Sequence, residues 1–182
     1  MKLKTLPNLL SGFRICLVPV FVFAYFEDRG IVKTWAVSIY IVAAATDFLD
    51  GFIARRFSLT SNLGKVLDPL GDKLMTAAAL ACITVDGLVP AWAIAAVATK
   101  ELLMGAGGLV LHRLARAEIP PSNIFGKTAT VVFVVACAAL MMFPSIPRLY
   151  ASAMIGVAVG LTSAALISYI LTFSAVMKRR GN

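Results

Sequence analysis

The sequence predicts an all-α integral membrane protein: six transmembrane helices in one bundle, with both termini in the cytoplasm. Three observations predict it. Of 182 residues, 60% are hydrophobic and only 14% are charged, whereas about a quarter are charged in an ordinary soluble domain. Six apolar stretches approach the roughly 20 helical residues that a bilayer crossing needs. Basic residues gather at one set of their ends. The length suits one compact bundle, a single domain over 1–182.

The first stretch runs over 8–26. Lys2 and Lys4 before it suggest a signal peptide, but Arg14 interrupts the run and no small-residue cleavage site follows. It is expected to be a retained first helix. The second stretch covers 32–54, after Glu27-Asp28-Arg29-Gly30. The third covers 66–85, after Ser58-Leu59-Thr60-Ser61-Asn62. The fourth covers 90–112, after Asp86-Gly87. The fifth covers 125–143, after Pro120-Pro121-Ser122-Asn123, and the sixth 149–177, after Pro144-Ser145-Ile146-Pro147. Each boundary holds turn formers or helix breakers.

Charge orients the bundle. Lys2, Lys4, Arg55, Arg56, Lys65, Arg113, Arg116, Lys127, Lys178, Arg179 and Arg180 fall at one set of ends; only Arg29, Lys33 and Arg148 fall at the other. The positive-inside rule places the richer set in the cytoplasm. The formal net charge of +8 points to anionic lipid headgroups and not to nucleic acid. Cys16, Cys82 and Cys137 lie in apolar runs without paired spacing and read as small core residues. Trp35 and Trp92 read as interfacial anchors on the outer side. His112, the single histidine, sits at a helix end and reads as a boundary residue.

One segment resists a purely structural reading. DFLDGFIARRFSLTSNLGKVLDPLGDK, residues 47–73, holds four of the nine acidic residues. Asp47 and Asp50 are three apart, and Asp68 and Asp72 four apart, so each pair shares a helix face with a rise of about 4.5 to 6 Å between members. A short turn makes the two helices antiparallel neighbours. Four carboxylates brought together at a membrane boundary require cations. All-oxygen ligation suits Mg2+, Mn2+ or Ca2+ and not zinc. Two divalent ions bridged by carboxylates serve phosphoryl chemistry. Gly51, Ala54 and Gly64 leave room for a base or a diphosphate close to the backbone, although small residues also simply let helices pack. Arg55 can pair with a phosphate.

The segment resembles the signature of the CDP-alcohol phosphatidyltransferase family, D-x2-D-G-x2-A-R-x8-G-x3-D-x3-D, with every fixed position present. The family's six helices and motif in helices 2 and 3 match the whole chain. The resemblance implies attack of an alcohol on the β-phosphorus of a CDP-linked lipid, usually CDP-diacylglycerol, with release of CMP. It implies that Asp47, Asp50, Asp68 and Asp72 hold two divalent ions, Mg2+ or Mn2+, and that Asp72 is also the general base. It assigns Asp47, Gly51, Ala54, Arg55, Gly64 and Asp68 to the CDP group. It places the site on the cytoplasmic side of a bacterial membrane, and by analogy it implies a homodimer. Gly156 and Gly160, a G-x3-G in the last helix, fit a dimer face or packing within the chain equally.

The opening LPNLLSGFRICLVP and the run LGKVLDPLGDKL resemble the branch of the family that uses glycerol-3-phosphate, and its relatives that use phosphatidylglycerol. Lys65, Arg113 and Lys127 are the candidate acceptor-binding cations, and Arg113 and Lys127 are equally placed as positive-inside anchors. Two positions depart from that branch. Thr99-Lys100-Glu101 stands where Ser-Arg-Glu is usual, and Ala129 replaces the second lysine of Gly-Lys-x-Lys-Thr. The resemblance implies glycerol-3-phosphate as the acceptor, with phosphatidylglycerol as the alternative. Lys100 and Glu101 fall in mid-span, where charge is costly; a buried ion pair and an acceptor role both fit. A small divalent-cation transporter is the alternative of another class. It calls for acids spread along several helices, which is not the pattern here.

Overall fold

The computed structural model describes residues 6–28, 33–57, 64–110 and 124–180. Six helices form there: α1 (Leu6–Glu27), α2 (Thr34–Phe57), α3 (Gly64–Val85), α4 (Trp92–Val110), α5 (Ile124–Met142) and α6 (Arg148–Arg180). No strand occurs among the described residues. The all-helical, six-element expectation holds, with boundaries within a few residues of the apolar stretches.

Helices α1 and α6 are long and apolar enough to cross a membrane by length and composition, at Leu9–Glu27 and Arg148–Ile167. Only 22% and 17% of these windows are buried within the chain. A soluble core helix hides its apolar surface, so this exposure is what lipid-facing helices show. Phe23, Trp35, Phe48, Leu102 and Leu149 are exposed in the same way. Shorter apolar helical stretches, Thr34–Leu49 of α2 and Thr128–Met142 of α5, occur among the described residues.

The chain forms two compact units. The first comprises residues 1–88 and 137–146, the second 89–136 and 147–182. In the first, α1 is the shared partner. It packs along both α2 and α3, whereas α2 and α3 touch each other over a shorter stretch. The expected antiparallel pair is therefore held mainly through a third helix. Phe21, Tyr25 and Tyr40 form its aromatic centre, with ring centroids 6.1 Å apart for Phe21–Tyr25 and 5.8 Å for Phe21–Tyr40, the spacing of tilted aromatic pairs. Leu80, Ile83, Leu140 and Met141 are buried in the same unit, and the Lys33 amide donates to the Met141 carbonyl at 3.3 Å.

Helix α3 ends as its residues dictate. Gly87 adopts φ 71°, the left-handed conformation that glycine takes without a Cβ clash. The Gly87 amide donates to the Thr84 carbonyl at 2.9 Å and the Leu88 amide to the Ile83 carbonyl at 3.1 Å, so the paired bonds of a Schellman cap close the helix. In the second unit α4 packs on α6, where a Cβ added at Gly156 would lie 3.9 Å from the Trp92 ring. Half of the G-x3-G is thus occupied by packing within the chain. Cys82 and Cys137 are buried as expected, but Cys16 is exposed on α1. It packs no core because it stands on the exposed side of a turn whose Arg14 and Ile15 are the residues turned to α3.

Candidate functional site

The motif aspartates lie on two helices: Asp47 and Asp50 near the end of α2, Asp68 and Asp72 in the first half of α3. Side chains are described for Asp47 and Asp72, both half-buried. Those of Asp50, Gly51, Ala54, Arg55, Gly64, Lys65, Asp68 and Lys127 lie outside the described residues, although their backbones are helical. Arg113 and His112 lie outside them altogether. No group of three or more metal-ligating side chains occurs among the described residues, a set that contains two of the four motif carboxylates.

Asp47 has a partner that the motif does not announce. Arg14 of α1 places Nη1 2.7 Å from Asp47 Oδ1. The arginine side chain is 1% exposed and the aspartate 40%. The contact is an ion pair between a buried cation and a carboxylate that stays partly exposed to solvent. The arginine is seated by a close helix approach: a Cβ at Gly71 would meet Ile15 Cγ1 at 3.4 Å, Arg14 Cδ at 3.5 Å and the Ser11 carbonyl at 3.7 Å. Gly71 thus admits the arginine stem one residue before Asp72. The available signal was the interruption of an apolar stretch by a charge, since intramembrane ionisable residues are functional by default.

Tyr40 is the second residue that the spacing passes over. It stands two turns before Asp47 on the same face of α2, is 2% exposed, and keeps its hydroxyl buried near the Cys137 thiol. A lone tyrosine in an apolar run carries no sequence signal for such a place.

In the second unit, Lys100 and Glu101 pair with each other through Nζ and Oε1, and both are largely buried. A buried lysine requires such a partner. Ala129, at the position of the missing second lysine, is 1% exposed. Thr128 and Thr130 on either side of it are exposed. Residues two apart lie on different faces of a helix, so position 129 does not share the face of Lys127.

The structure thus places two motif aspartates on each of α2 and α3, with a buried arginine of α1 paired to Asp47. The comparisons with known proteins bear on the family. The chain matches the model of the CDP-alcohol phosphatidyltransferase family over residues 4–173. It belongs to that family and is a CDP-alcohol phosphatidyltransferase. This sets aside the transporter alternative. Among its relatives, the CDP-diacylglycerol–glycerol-3-phosphate 3-phosphatidyltransferase of Bacillus subtilis is 34% identical over 75% of this chain and 76% of its own length. A putative cardiolipin synthase of Mycobacterium tuberculosis is 33% identical over 74% of this chain and 63% of its own. The CDP-diacylglycerol–glycerol-3-phosphate 3-phosphatidyltransferase 2 of Arabidopsis thaliana is 43% identical over 48% of this chain and 38% of its own.

Proposed function

We propose that this chain transfers the phosphatidyl group of CDP-diacylglycerol to glycerol-3-phosphate, releasing CMP, and so acts as a phosphatidylglycerophosphate synthase. The observation that carries this reading is the similarity to the Bacillus subtilis transferase over three quarters of both chains, with the aspartate signature complete. The acceptor oxygen forms a bond to the β-phosphorus, the bond from that phosphorus to CMP breaks, and the acceptor proton passes to Asp72.

Asp47, Asp50, Asp68 and Asp72 would hold two divalent ions, Mg2+ or Mn2+. The donor set fits them: the four residues offer only carboxylate oxygens, and Asp47 is 40% exposed beside its ion pair with Arg14. When bound, the ions supply charge for the diphosphate and for the leaving phosphate. Gly51, Ala54 and Gly64 leave space for cytidine, and Arg55 pairs with a phosphate. Lys65, Arg113 and Lys127 are the cations for the acceptor phosphate. The two units act as one domain, since the family match runs across both. The chain is multi-pass in a bacterial cytoplasmic membrane, with both termini and the site on the cytoplasmic side, as the basic residues at those ends support. Membrane lipids surround it, and a second copy completes a homodimer on the family's analogy.

A second reading, cardiolipin synthase with phosphatidylglycerol as acceptor, is favoured by the mycobacterial relative. The deciding experiment measures CMP release by purified protein in detergent with CDP-diacylglycerol and Mg2+ or Mn2+, each acceptor supplied alone. Release with glycerol-3-phosphate is expected; release with phosphatidylglycerol only moves the chain to the second reading. No release with either overturns both.

A further inference from the structure

We propose that Arg14 sets the charge of the aspartate site: a permanent cation paired with Asp47, it weakens the hold on divalent ions and strengthens the hold on the CDP diphosphate. The inference rests on the function proposed above and adds a residue to it.

Long cationic side chains in apolar helices ordinarily reach out to water. Arg14 does the opposite. It is 1% exposed and among the largest fully buried side chains of the chain. Guanidinium does not give up its proton in proteins, so the buried group remains a cation at every working pH. Its head lies 2.7 Å from Asp47 and its stem crosses Gly71, next to Asp72. One fixed positive charge on α1 therefore bears on a carboxylate of α2 and runs past the α3 residue that precedes another.

The charge count gives this its consequence. Four carboxylates and two divalent ions sum to zero. Arg14 and Arg55 each add one positive charge to the loaded site, and the ligand to be received is an anionic diphosphate. The same charge opposes the entry of cations. Without metal, Arg14 offsets part of the repulsion among the carboxylates, which allows the site to fold before loading.

A merely structural arginine would have a different signature. Its loss would loosen Asp47 and weaken both ligands together. Loss of a charge-setting arginine moves the two affinities in opposite directions.

The test compares full-length wild type, Arg14→Gln and Arg14→Lys in detergent. Mn2+ binding is read from the electron paramagnetic resonance of the free ion. CDP binding is read by calorimetry in excess Mn2+. Arg14→Gln is expected to bind Mn2+ at least about tenfold more tightly and CDP at least about tenfold more weakly. Arg14→Lys, whose ammonium stays charged while paired with Asp47, is expected to move each affinity less than Arg14→Gln does. Weakening of both ligands by Arg14→Gln, or no change in either, overturns the proposal. Should Arg14→Gln fail to fold, Arg14→Lys decides: retention of both affinities supports the charge role and loss of both overturns it. A wild-type protein that binds no Mn2+ overturns the metal reading itself, a result distinguishable from failure of the arginine's role.

Discussion

Tyr25 donates a 2.8 Å hydrogen bond to Asp86 Oδ2 across 61 positions of sequence, tying the end of α1 to the cap of α3. Lys33 lies 5.1 Å from the centre of the same ring and donates to the Asp28 carbonyl at 3.0 Å. Arg14 stands eleven residues earlier on α1, about 16 Å along its axis. The first helix is thus fastened at two places: near its middle to Asp47 beside the site, and at its end to Asp86 away from it.

The two fastenings are expected to separate stability from activity. Tyr25→Phe removes one hydrogen bond and leaves the exposed Asp86 to water. It should cost about 1 kcal/mol and lower the melting temperature in detergent by a few degrees. CMP release at a temperature below the transition should match wild type. A large loss of turnover with the melting temperature intact would contradict this division.

Gly71 provides a size-graded test of the α1–α3 seam. An added Cβ meets its neighbours at 3.4 to 3.7 Å, ordinary contact, so Gly71→Ala should be tolerated and gains helix propensity of up to about 1 kcal/mol. Gly71→Val drives methyl groups into Arg14 and Ile15. Overpacking of this kind costs about 1–3 kcal/mol, and melting temperatures of the two variants should show the order alanine above valine.

Asp72→Asn keeps size and helix and removes the carboxylate proposed as base. CMP release should fall at least about a hundredfold, with the melting temperature in EDTA close to wild type. A folded variant with full turnover would remove Asp72 from the role of base.

Ala129→Lys tests whether the missing lysine of the glycerol-3-phosphate branch can be restored. The expectation from sequence is a lower KM for that acceptor. Ala129 is buried in α5, and an unpaired ammonium there meets a desolvation cost of several kcal/mol. The variant is therefore expected to lose thermal stability without any gain in KM. A lower KM in a stable variant would show that position 129 opens onto the acceptor.

Much of the fold was legible because its signals are local. Apolar runs of the right length and the breakers between them define six helices, and Asp86-Gly87 marks the end of α3 through a conformation only glycine adopts easily. The aspartate pairs were legible because spacing carries meaning: a separation of three or four positions places two residues on one helix face whatever surrounds the helix. The expectation for Cys16 failed because an apolar run in a membrane helix has no hydrophobic periodicity to tell the inner face from the lipid-facing one. The Lys100–Glu101 pair was visible as two costly charges, but not its partnership, since adjacent residues on a helix ordinarily point apart.

The sequence by itself determined the helices, the aspartate signature, the family and the kind of ligand. These depend on residue type and on separations along one or two helices. Only the tertiary structure decided which helix stands behind the site. Arg14 and Asp47 are 33 positions apart, and Gly71 lies 24 positions beyond Asp47. They meet because α1 packs on α2 and α3 at once, and a buried arginine is tolerable only where that packing delivers a carboxylate to it.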